Sequence, residues 1–421
     1  MKNSRSVIET AGHKFRTKNI SKRVQKIVIS PIKEMSILAD ALEEKSNLRK
    51  YEKKIISFGQ GIPYLDTPRF IKKAAQKALG ELSTAFYTLE PGINELRELV
   101  AKDLEKNKKI KNIKPKEEIM ITVGCQEAMA CAIASIIDPG DEVLLPSPTY
   151  ASEIEQIIQF GGVPKFVPLI EKDGWRLDIK NFEKKITKKT KAILLCNPSN
   201  PTGAVFSEKE LRSLAKIVKK YNLVLIIDET YDFLIYDDVK FFSAAAIGDI
   251  RDRVILCSSF SKKYRMTGYR IGYAFADAGI IDHMLKVHDA LTVCAPAISQ
   301  KAIIAALKDE NNSLKSLEEL INKMEHNRKL MCIELDKMKD VFEYQKPKGA
   351  YYILAKYKYP KIDSFNLAVK ILKEARVILI PGAAFGPSGE GYLRFSFAGE
   401  PKNIKEGFQR LRLWFSRHKN T

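Results

Sequence analysis

The chain has 421 residues, of which 45% are hydrophobic, so it is long enough for about two or three domains with buried cores. No apolar run reaches the roughly 20 residues that a membrane helix needs, and we expect a soluble protein with no membrane partner. The net charge of +20 is typical of some nucleic-acid-binding proteins, but lysines alternate with acidic residues along the whole chain, which argues against a nucleic-acid partner.

The six cysteines form no Cys-x-x-Cys pair, and the five histidines show no metal-ligand spacing. We therefore expect reduced thiols, a cytoplasmic location and no metal site. Residues 1–26 are basic and polar and lack the apolar core of a signal peptide.

Residues 1–60 are predicted to form an N-terminal arm and part of a small domain. From about residue 115 to about residue 275, short apolar runs alternate with helical segments. The runs predicted to be buried strands are 119–123, 142–145, 192–196, 223–228 and 254–257. The helical segments include 126–137 and 207–220, and the second begins at Ser207, a favourable N-cap residue.

This alternation predicts an α/β fold with a doubly wound, mostly parallel sheet in a large domain, residues 61–305. A charged helical stretch, 311–339, then leads into mixed helix and strand. We predict that residues 306–421 form the C-terminal part of a smaller α/β domain that is built from both chain termini. Doubly wound sheets bind ligands beyond the carboxyl ends of their strands, so motifs at those positions are of interest.

Polar motifs follow three of the predicted strands, and a fourth lies near the C-terminus. They read N-P-S-N-P-T-G (197–203), D-E-T-Y (228–231), S-F-S-K-K-Y-R-M-T-G-Y-R-I-G (259–272) and P-G-A-A-F-G (381–386). In this order and at this spacing, they resemble the class I and II pyridoxal-phosphate-dependent aminotransferases of fold type I, the aspartate aminotransferase type. The resemblance extends from about residue 56 to about residue 400.

The resemblance implies pyridoxal 5′-phosphate as the cofactor and gives the motif residues their roles. Lys262 matches the lysine that forms a Schiff base with the cofactor. Asp228 matches the carboxylate that keeps the pyridine nitrogen protonated. Asn200 and Tyr231 match the hydrogen-bond donors to the phenolate oxygen, and Tyr150 matches the aromatic residue that covers the ring.

The resemblance also implies partners for the cofactor phosphate. Arg270 supplies the cation, and Ser259 and Ser261 add hydroxyl groups. The segment G-C-Q-E-A, which contains Cys125 and Gln126, would add backbone amides, because a glycine here joins a strand end to a helix start.

Further matches concern the substrate and the assembly. Arg394 matches the arginine that binds the substrate α-carboxylate as a bidentate fork. Gly61 and Asn200 lie beside the same carboxylate in the family. Tyr87 matches a tyrosine that reaches the phosphate of the neighbouring subunit, which implies a homodimer with shared active sites.

We therefore predict a transaminase that moves an amino group between an L-amino acid and a 2-oxo acid, with Lys262 as the general base and acid. A β-lyase or a synthase of the same fold uses the same cofactor chemistry and stays an alternative. A pyridoxal-phosphate-binding regulator is a further alternative, but the segment before residue 56 shows no clear helix-turn-helix.

The sequence departs from many relatives around the substrate side chain. It reads G-I-P-Y-L, with Ile62 and Tyr64, where many relatives have G-E-P-D-F. Gln126 stands where some aspartate-specific relatives carry a lysine. These residues predict a surface without a cation, and hence a preference for apolar or aromatic amino donors.

Overall fold

The computed structural model describes residues 21–27, 30–47, 54–359 and 362–418. The strands are β1 (Ile56–Ser57), β2 (Ile119–Thr122), β3 (Glu142–Ser147), β4 (Val163–Pro168), β5 (Thr190–Cys196), β6 (Val224–Asp228), β7 (Val254–Ser259), β8 (Gly272–Phe275), β9 (Phe342–Tyr344), β10 (Tyr352–Tyr357), β11 (Val377–Ile378), β12 (Ile380–Pro381) and β13 (Tyr392–Ser396). The α-helices are α1 (Pro31–Asn47), α2 (Arg69–Leu79), α3 (Asn94–Lys108), α4 (Pro115–Glu118), α5 (Cys125–Ile136), α6 (Ala151–Gln159), α7 (Ile179–Lys184), α8 (Glu208–Lys220), α9 (Phe260–Lys263), α10 (Ala278–Thr292), α11 (Ala297–Lys308), α12 (Glu310–Asp336), α13 (Ser364–Ala375) and α14 (Pro401–Arg417).

The arm predicted at the N-terminus falls largely on residues 1–20, which lie outside the described residues. Within the described ranges, no helix combines the length and the apolar character needed to span a bilayer.

A seven-stranded sheet forms the centre of the fold, in the order β2-β8-β7-β6-β5-β3-β4. Strands β4, β3, β5, β6 and β7 pair in parallel, whereas β8 runs antiparallel to both of its neighbours. The mostly parallel sheet predicted from the sequence is thus confirmed. β4 and β8 were not predicted; β4 is a half-buried edge strand with two prolines, which obscures its strand pattern.

Apolar side chains are buried on both faces of this sheet, as the continuous apolar runs predict. In β6, Leu225 and Ile227 contribute to one hydrophobic cluster, and Ile226 contributes to the cluster on the opposite face. Helices cover both faces. α8 begins with a capping box in which Ser207 and Glu210 satisfy each other's backbone amides, which explains why the helix starts where the sequence predicts.

A third hydrophobic cluster joins segments from the two ends of the chain. Ile56 in β1 pairs with Val377 in β11, and Met35 of α1 is buried in the same cluster as Leu320 and Trp414. The four-stranded antiparallel sheet β12-β13-β10-β9 belongs to this part of the molecule. The smaller α/β unit therefore uses both termini, while the boundaries at 60/61 and 305/306 stay a prediction.

Candidate active site

A cavity of about 580 Å³ lies at the carboxyl ends of the central strands β5, β6 and β7. It is lined by Ile32, Lys33, Ser36, Ile37, Gly59, Gln60, Gly61, Ile62, Cys125, Gln126, Tyr150, Cys196, Asn200, Asp228, Thr230, Tyr231, Ser259, Ser261, Lys262, Thr267, Arg270, Tyr352 and Arg394. The site residues expected from the sequence line this cavity, with the exception of Tyr87 and of Tyr64, which was expected beside the substrate side chain.

Lys262 enters the cavity from α9, the short helix that begins directly after β7. Ser259 caps this helix by accepting a hydrogen bond from the amide of Ser261 over 3.0 Å. The Lys262 amino group donates to the carbonyl oxygen of Gly61 over 2.8 Å. Burial and the nearby Arg270 guanidinium lower the pKa of Lys262 to about 8. A useful fraction of this amine is therefore neutral near physiological pH, as a nucleophile requires.

Asp228 is the last residue of β6, and its carboxylate is buried. One carboxylate oxygen accepts a hydrogen bond from the amide of Thr230 over 2.9 Å. Burial raises the pKa of Asp228, while hydrogen bonds from Thr230 and Cys125 and the charge of Lys262 favour the ionised form. A buried carboxylate with this support is suited to hold a cationic group inside the cavity.

Hydrogen-bond donors for an anion collect at the start of α5. Gly124, with a φ of 77°, ends the turn after β2 and leads into Cys125, the first residue of the helix. A Cβ atom at Gly124 would lie 2.7 Å from Nη2 of Arg270, so glycine is needed for this close approach. The hydroxyl groups of Ser259 and Ser261, 2.8 Å apart, line the same cavity. Helix-terminal amides, a guanidinium and two hydroxyls together form a phosphate-type anion site.

Tyr150 lies at the N-terminus of α6, where the chain leaves β3. Its hydroxyl oxygen accepts a hydrogen bond from Nε2 of Gln126 over 3.1 Å. Burial raises the pKa of Tyr150 to about 12, so the phenol stays neutral and its ring offers an apolar face to the cavity.

Arg394 of β13 is 2% exposed. Its Nη1 atom donates to Oδ1 of Asn200 over 3.0 Å, and Nη2 donates to the carbonyl oxygen of Gly59. The guanidinium lies 4.5 Å from the ring centroid of Tyr352 and 5.0 Å from that of Phe385. In the described part of the chain, no carboxylate pairs with Arg394, and its Nε atom has no hydrogen-bond partner. A buried cation in this state favours an anionic ligand.

The sequence matches the family model of the class I and II aminotransferases over residues 53–411. The chain belongs to this family. It is 37% identical to an aspartate aminotransferase of Pyrococcus abyssi, over 85% of this chain and 91% of that protein. It is 35% identical to aromatic-amino-acid aminotransferase 2 of Thermococcus litoralis, over 93% of this chain and 97% of that protein.

A solved structure, the aromatic aminotransferase from Pyrococcus horikoshii, matches the fold with a TM-score of 0.83 at 36% identity. The match covers 91% of this chain and 99% of that chain. The chain is therefore an aminotransferase that catalyses transamination, as the motifs predicted.

Three tyrosines of this aminotransferase surround the point where Lys262 meets Gly61. The hydroxyl groups of Tyr231 and Tyr352 are 2.9 Å apart, and Tyr351 donates to the Gly61 carbonyl oxygen over 2.7 Å. A Cβ atom at Gly61 would lie 1.8 Å from the Tyr352 hydroxyl oxygen, which explains why glycine stands here. Burial raises the pKa of Tyr231 well above its ordinary value, so this hydroxyl keeps its proton for donation.

Tyr87 is 80% exposed and does not line the cavity of its own subunit. It lies in a segment attached to the core through its neighbours: Thr88 accepts a hydrogen bond from Gln300 over 2.9 Å, and Glu90 accepts one from His288 over 3.1 Å. This geometry leaves the Tyr87 side chain available to another molecule.

The structure adds cavity residues that the motifs did not indicate. Tyr352 comes from β10, and Ile32, Lys33 and Ile37 come from the start of α1. The prediction of a surface without a cation is wrong, because Lys33 lines the cavity together with Ile62 and Gln126. Tyr64, which was also expected there, lies outside the cavity lining and packs under Lys323, whose amino group is 5.9 Å from the ring centroid.

Proposed function

We propose that this aminotransferase binds pyridoxal 5′-phosphate and uses Lys262 to move an amino group between an L-amino acid and a 2-oxo acid. The cavity fits this cofactor through its chemistry: an amine of lowered pKa, the buried carboxylate of Asp228, and an anion site at the start of α5. When bound, the cofactor supplies an aldehyde for the amino group and a cationic ring that withdraws electrons.

Different cavity residues are proposed to bind different parts of the cofactor. Asp228 would hold the protonated ring nitrogen, while Arg270, Ser259, Ser261 and the Cys125 amide would hold the phosphate. The positive φ of Gly124 and the close approach of the Arg270 guanidinium to this residue support the assignment. They bring backbone amides and a positive charge together at the start of α5.

The other edge of the ring is assigned to Asn200, Tyr231 and Tyr150. Because Oδ1 of Asn200 accepts from Arg394, its amide nitrogen is free to donate to the ring oxygen. Tyr231, with its proton retained, is the second donor, and Tyr150 covers the ring face.

The proposal rests mainly on the burial of Arg394 without a paired carboxylate among the described residues. Its guanidinium is buried, pairs with no carboxylate in the described ranges and lines the same cavity as Lys262. An α-carboxylate bound as a bidentate fork would supply the missing charge. It would also hold the substrate α-carbon near the Lys262 amine.

Lys262 is proposed to hold and move the proton. Its amine, with a lowered pKa, would take a proton from the substrate α-carbon and return it. The carbonyl oxygen of Gly61, which accepts from this amine, keeps it pointed into the cavity.

The working unit is proposed to be a homodimer with shared active sites. Exposed apolar side chains cluster around Tyr87, which favours a protein partner over water. They include Leu82 at 77%, Phe86 at 64% and Leu89 at 57% exposure. Tyr87 is then the residue that reaches the partner's phosphate.

The six cysteines are free, which favours the cytoplasm as the compartment.

For the side chain of the donor, we propose a preference for apolar or aromatic amino acids. Ile32, Ile37 and Ile62 line the cavity, and burying apolar area against them contributes about 25 cal/mol per Å². Lys33 is exposed and can pair with an acidic oxo acid such as 2-oxoglutarate as the acceptor, although an exposed pair is worth at most about 1 kcal/mol.

The test is oxo-acid formation by the purified protein, with aspartate, alanine, leucine and phenylalanine as donors and 2-oxoglutarate as acceptor. We expect one glutamate for each oxo acid formed and the highest kcat/KM for leucine or phenylalanine. A kcat/KM for aspartate that is higher by tenfold or more, about 1.4 kcal/mol, contradicts the donor preference. Ammonia release without an acceptor would indicate a lyase, and cofactor binding without turnover would favour a regulator.

A further inference from the structure

Glu153 is a buried acid that the transamination scheme does not use. It lies in the first turn of α6, three residues after Tyr150, and is 2% exposed. Its Oε2 atom accepts a hydrogen bond from the Thr149 hydroxyl. Its Oε1 atom has no hydrogen-bond partner among the described residues. An ionised carboxylate with one bare oxygen is unstable in such surroundings.

The carboxyl group of Asp228 lies near Glu153 and makes ionisation of Glu153 still less favourable. One oxygen of each carboxyl group and the Cys196 sulfur lie within 4.8 Å of one another, all buried. Two carboxylates at this spacing in a dry site repel each other, so one of them takes up a proton.

The surroundings decide which of the two carboxyl groups is neutral. Asp228 has the Thr230 amide at 2.9 Å and the charge of Lys262 in its favour, whereas the ionised form of Glu153 is favoured by the Thr149 hydroxyl and, more weakly, by the Tyr150 amide. Burial, opposed by Thr149 and reinforced by Asp228, raises the pKa of Glu153 to about 8. Glu153 is thus the better site for the proton.

Among the described residues, no cation on the elements that face α6 acts on Glu153, because Lys33 of α1 acts instead on Glu155, two residues further along the helix. α5 meets α6 through the uncharged Gln126, which contacts Gln156 over 3.0 Å. In β4, Lys165 pairs with Glu142 over 3.2 Å. The thiol of Cys196, at the end of β5, stays neutral because burial raises its pKa.

We propose that Glu153 is a positioning residue that carries a proton beside the ionised Asp228, so that the pair presents a single negative charge to the ring nitrogen of the bound cofactor. The part of this inference that concerns the ring nitrogen rests on the proposed function. When Glu153 loses its proton, a second negative charge lies within 4.8 Å of Asp228 and makes Asp228 more basic.

The protonation of Glu153 can be read by infrared difference spectroscopy between about pH 6 and about pH 10. We expect the carbonyl band of one protonated, buried carboxylic acid, lost with a midpoint near pH 8. Glu153→Gln should abolish the band. The matched control is Glu208→Gln, because Glu208 lies in the first turn of α8 but is 53% exposed and paired with Arg212.

A second variant keeps the test valid if Glu153→Gln fails to fold. Thr149→Val removes the hydroxyl that favours the ionised form, so the band should persist to higher pH than in the wild type. Absence of the band from the wild type, or an unshifted midpoint in Thr149→Val, would overturn the proposal. A stoichiometric metal ion released by a chelator would also overturn it, because the cation would replace the proton.

The effect on Asp228 has its own readout, the visible absorbance of lysine-bound pyridoxal phosphate. We expect wild type and Glu153→Gln to absorb alike at about pH 6 and to diverge above about pH 8, because only the wild type gains a charge there. Identical pH titrations would overturn the positioning role. The infrared band is recorded on cofactor-free protein. The test of Glu153 protonation therefore remains valid even if the protein takes up no pyridoxal phosphate and the proposed function fails.

Discussion

The amino group of Lys262 donates a hydrogen bond to the carbonyl oxygen of Gly61 over 2.8 Å, although the two residues are 201 positions apart. The next residue, Lys263, meets a different environment and pairs with Asp103 at 3.4 Å. Burial alone would lower the pKa of Lys263, but Asp103 and other nearby acids hold it above its ordinary range. Two adjacent lysines therefore differ in nucleophilicity, which makes each the control for the other.

Replacing Lys262 with alanine should remove the yellow absorbance of lysine-bound pyridoxal phosphate while the protein stays folded. Lys263→Met should keep the colour, because its amine is protonated and pairs with Asp103 outside the cavity. Borohydride reduction followed by peptide mapping identifies the labelled lysine. A label on Lys263 would show that the motif has been aligned one residue out of register.

The pH dependence of cofactor uptake should follow the Lys262 amine. Only the neutral amine attacks an aldehyde, and the pKa of Lys262 is lowered to about 8. We expect the rate of binding of pyridoxal to cofactor-free protein to rise about tenfold per pH unit below pH 8 and to level off above it. Stopped-flow absorbance measures this rate. A plateau reached only near 10.5, the ordinary lysine value, would contradict the lowered pKa.

Asp228→Asn should reduce turnover without abolishing cofactor binding. The change removes the charged partner of the ring nitrogen, and breaking a buried charge pair from one side costs about 3–5 kcal/mol. We expect kcat to fall by at least about a hundredfold, since each 1.4 kcal/mol is about tenfold in rate. Steady-state kinetics at saturating pyridoxal phosphate provide the measurement, and near-normal kcat would rule out the role.

Mixing two defective variants tests whether active sites are shared. In a heterodimer of Lys262→Ala and Tyr87→Phe, one site combines an intact Lys262 with the intact Tyr87 of the other subunit. Refolding the two variants together should therefore give activity above the sum of the separate proteins, up to about half that of the wild type per heterodimer. If Tyr87 served its own subunit, mixing would give no gain.

Lys33→Met tests the cation that α1 brings to the cavity. The KM for 2-oxoglutarate and for aspartate should rise up to about fivefold, as the loss of an exposed ion pair predicts, while the KM for leucine stays unchanged. The control is Lys329→Met on α12, because Lys329 pairs with Glu325 and does not line the cavity. An equal rise for all donors would assign Lys33 to the structure of α1 instead.

The sequence predicted the residues that follow the central strands well. Asp228 and Ser259 each end a buried apolar run, and parallel strands bring their carboxyl ends to one edge of a sheet. Lys33 could not be predicted, because only the packing of α1 against the C-terminal half brings it to the cavity. In the sequence, Glu153 is indistinguishable from an ordinary helix residue. Its proposed role depends on the distance between its carboxyl group and that of Asp228, which no local sequence pattern encodes.

The cavity draws its residues from nearly the whole length of the chain: Gly59 and Arg394, which are joined by a hydrogen bond, are 335 positions apart. Contacts of such separation form late in folding, because the loops between them must close first. A partly folded chain that lacks β13 has no Arg394, and one that lacks α9 has no Lys262. Pyridoxal phosphate should therefore bind only the fully folded protein. A saturating concentration should then raise the unfolding temperature of the large domain and of the smaller α/β unit together.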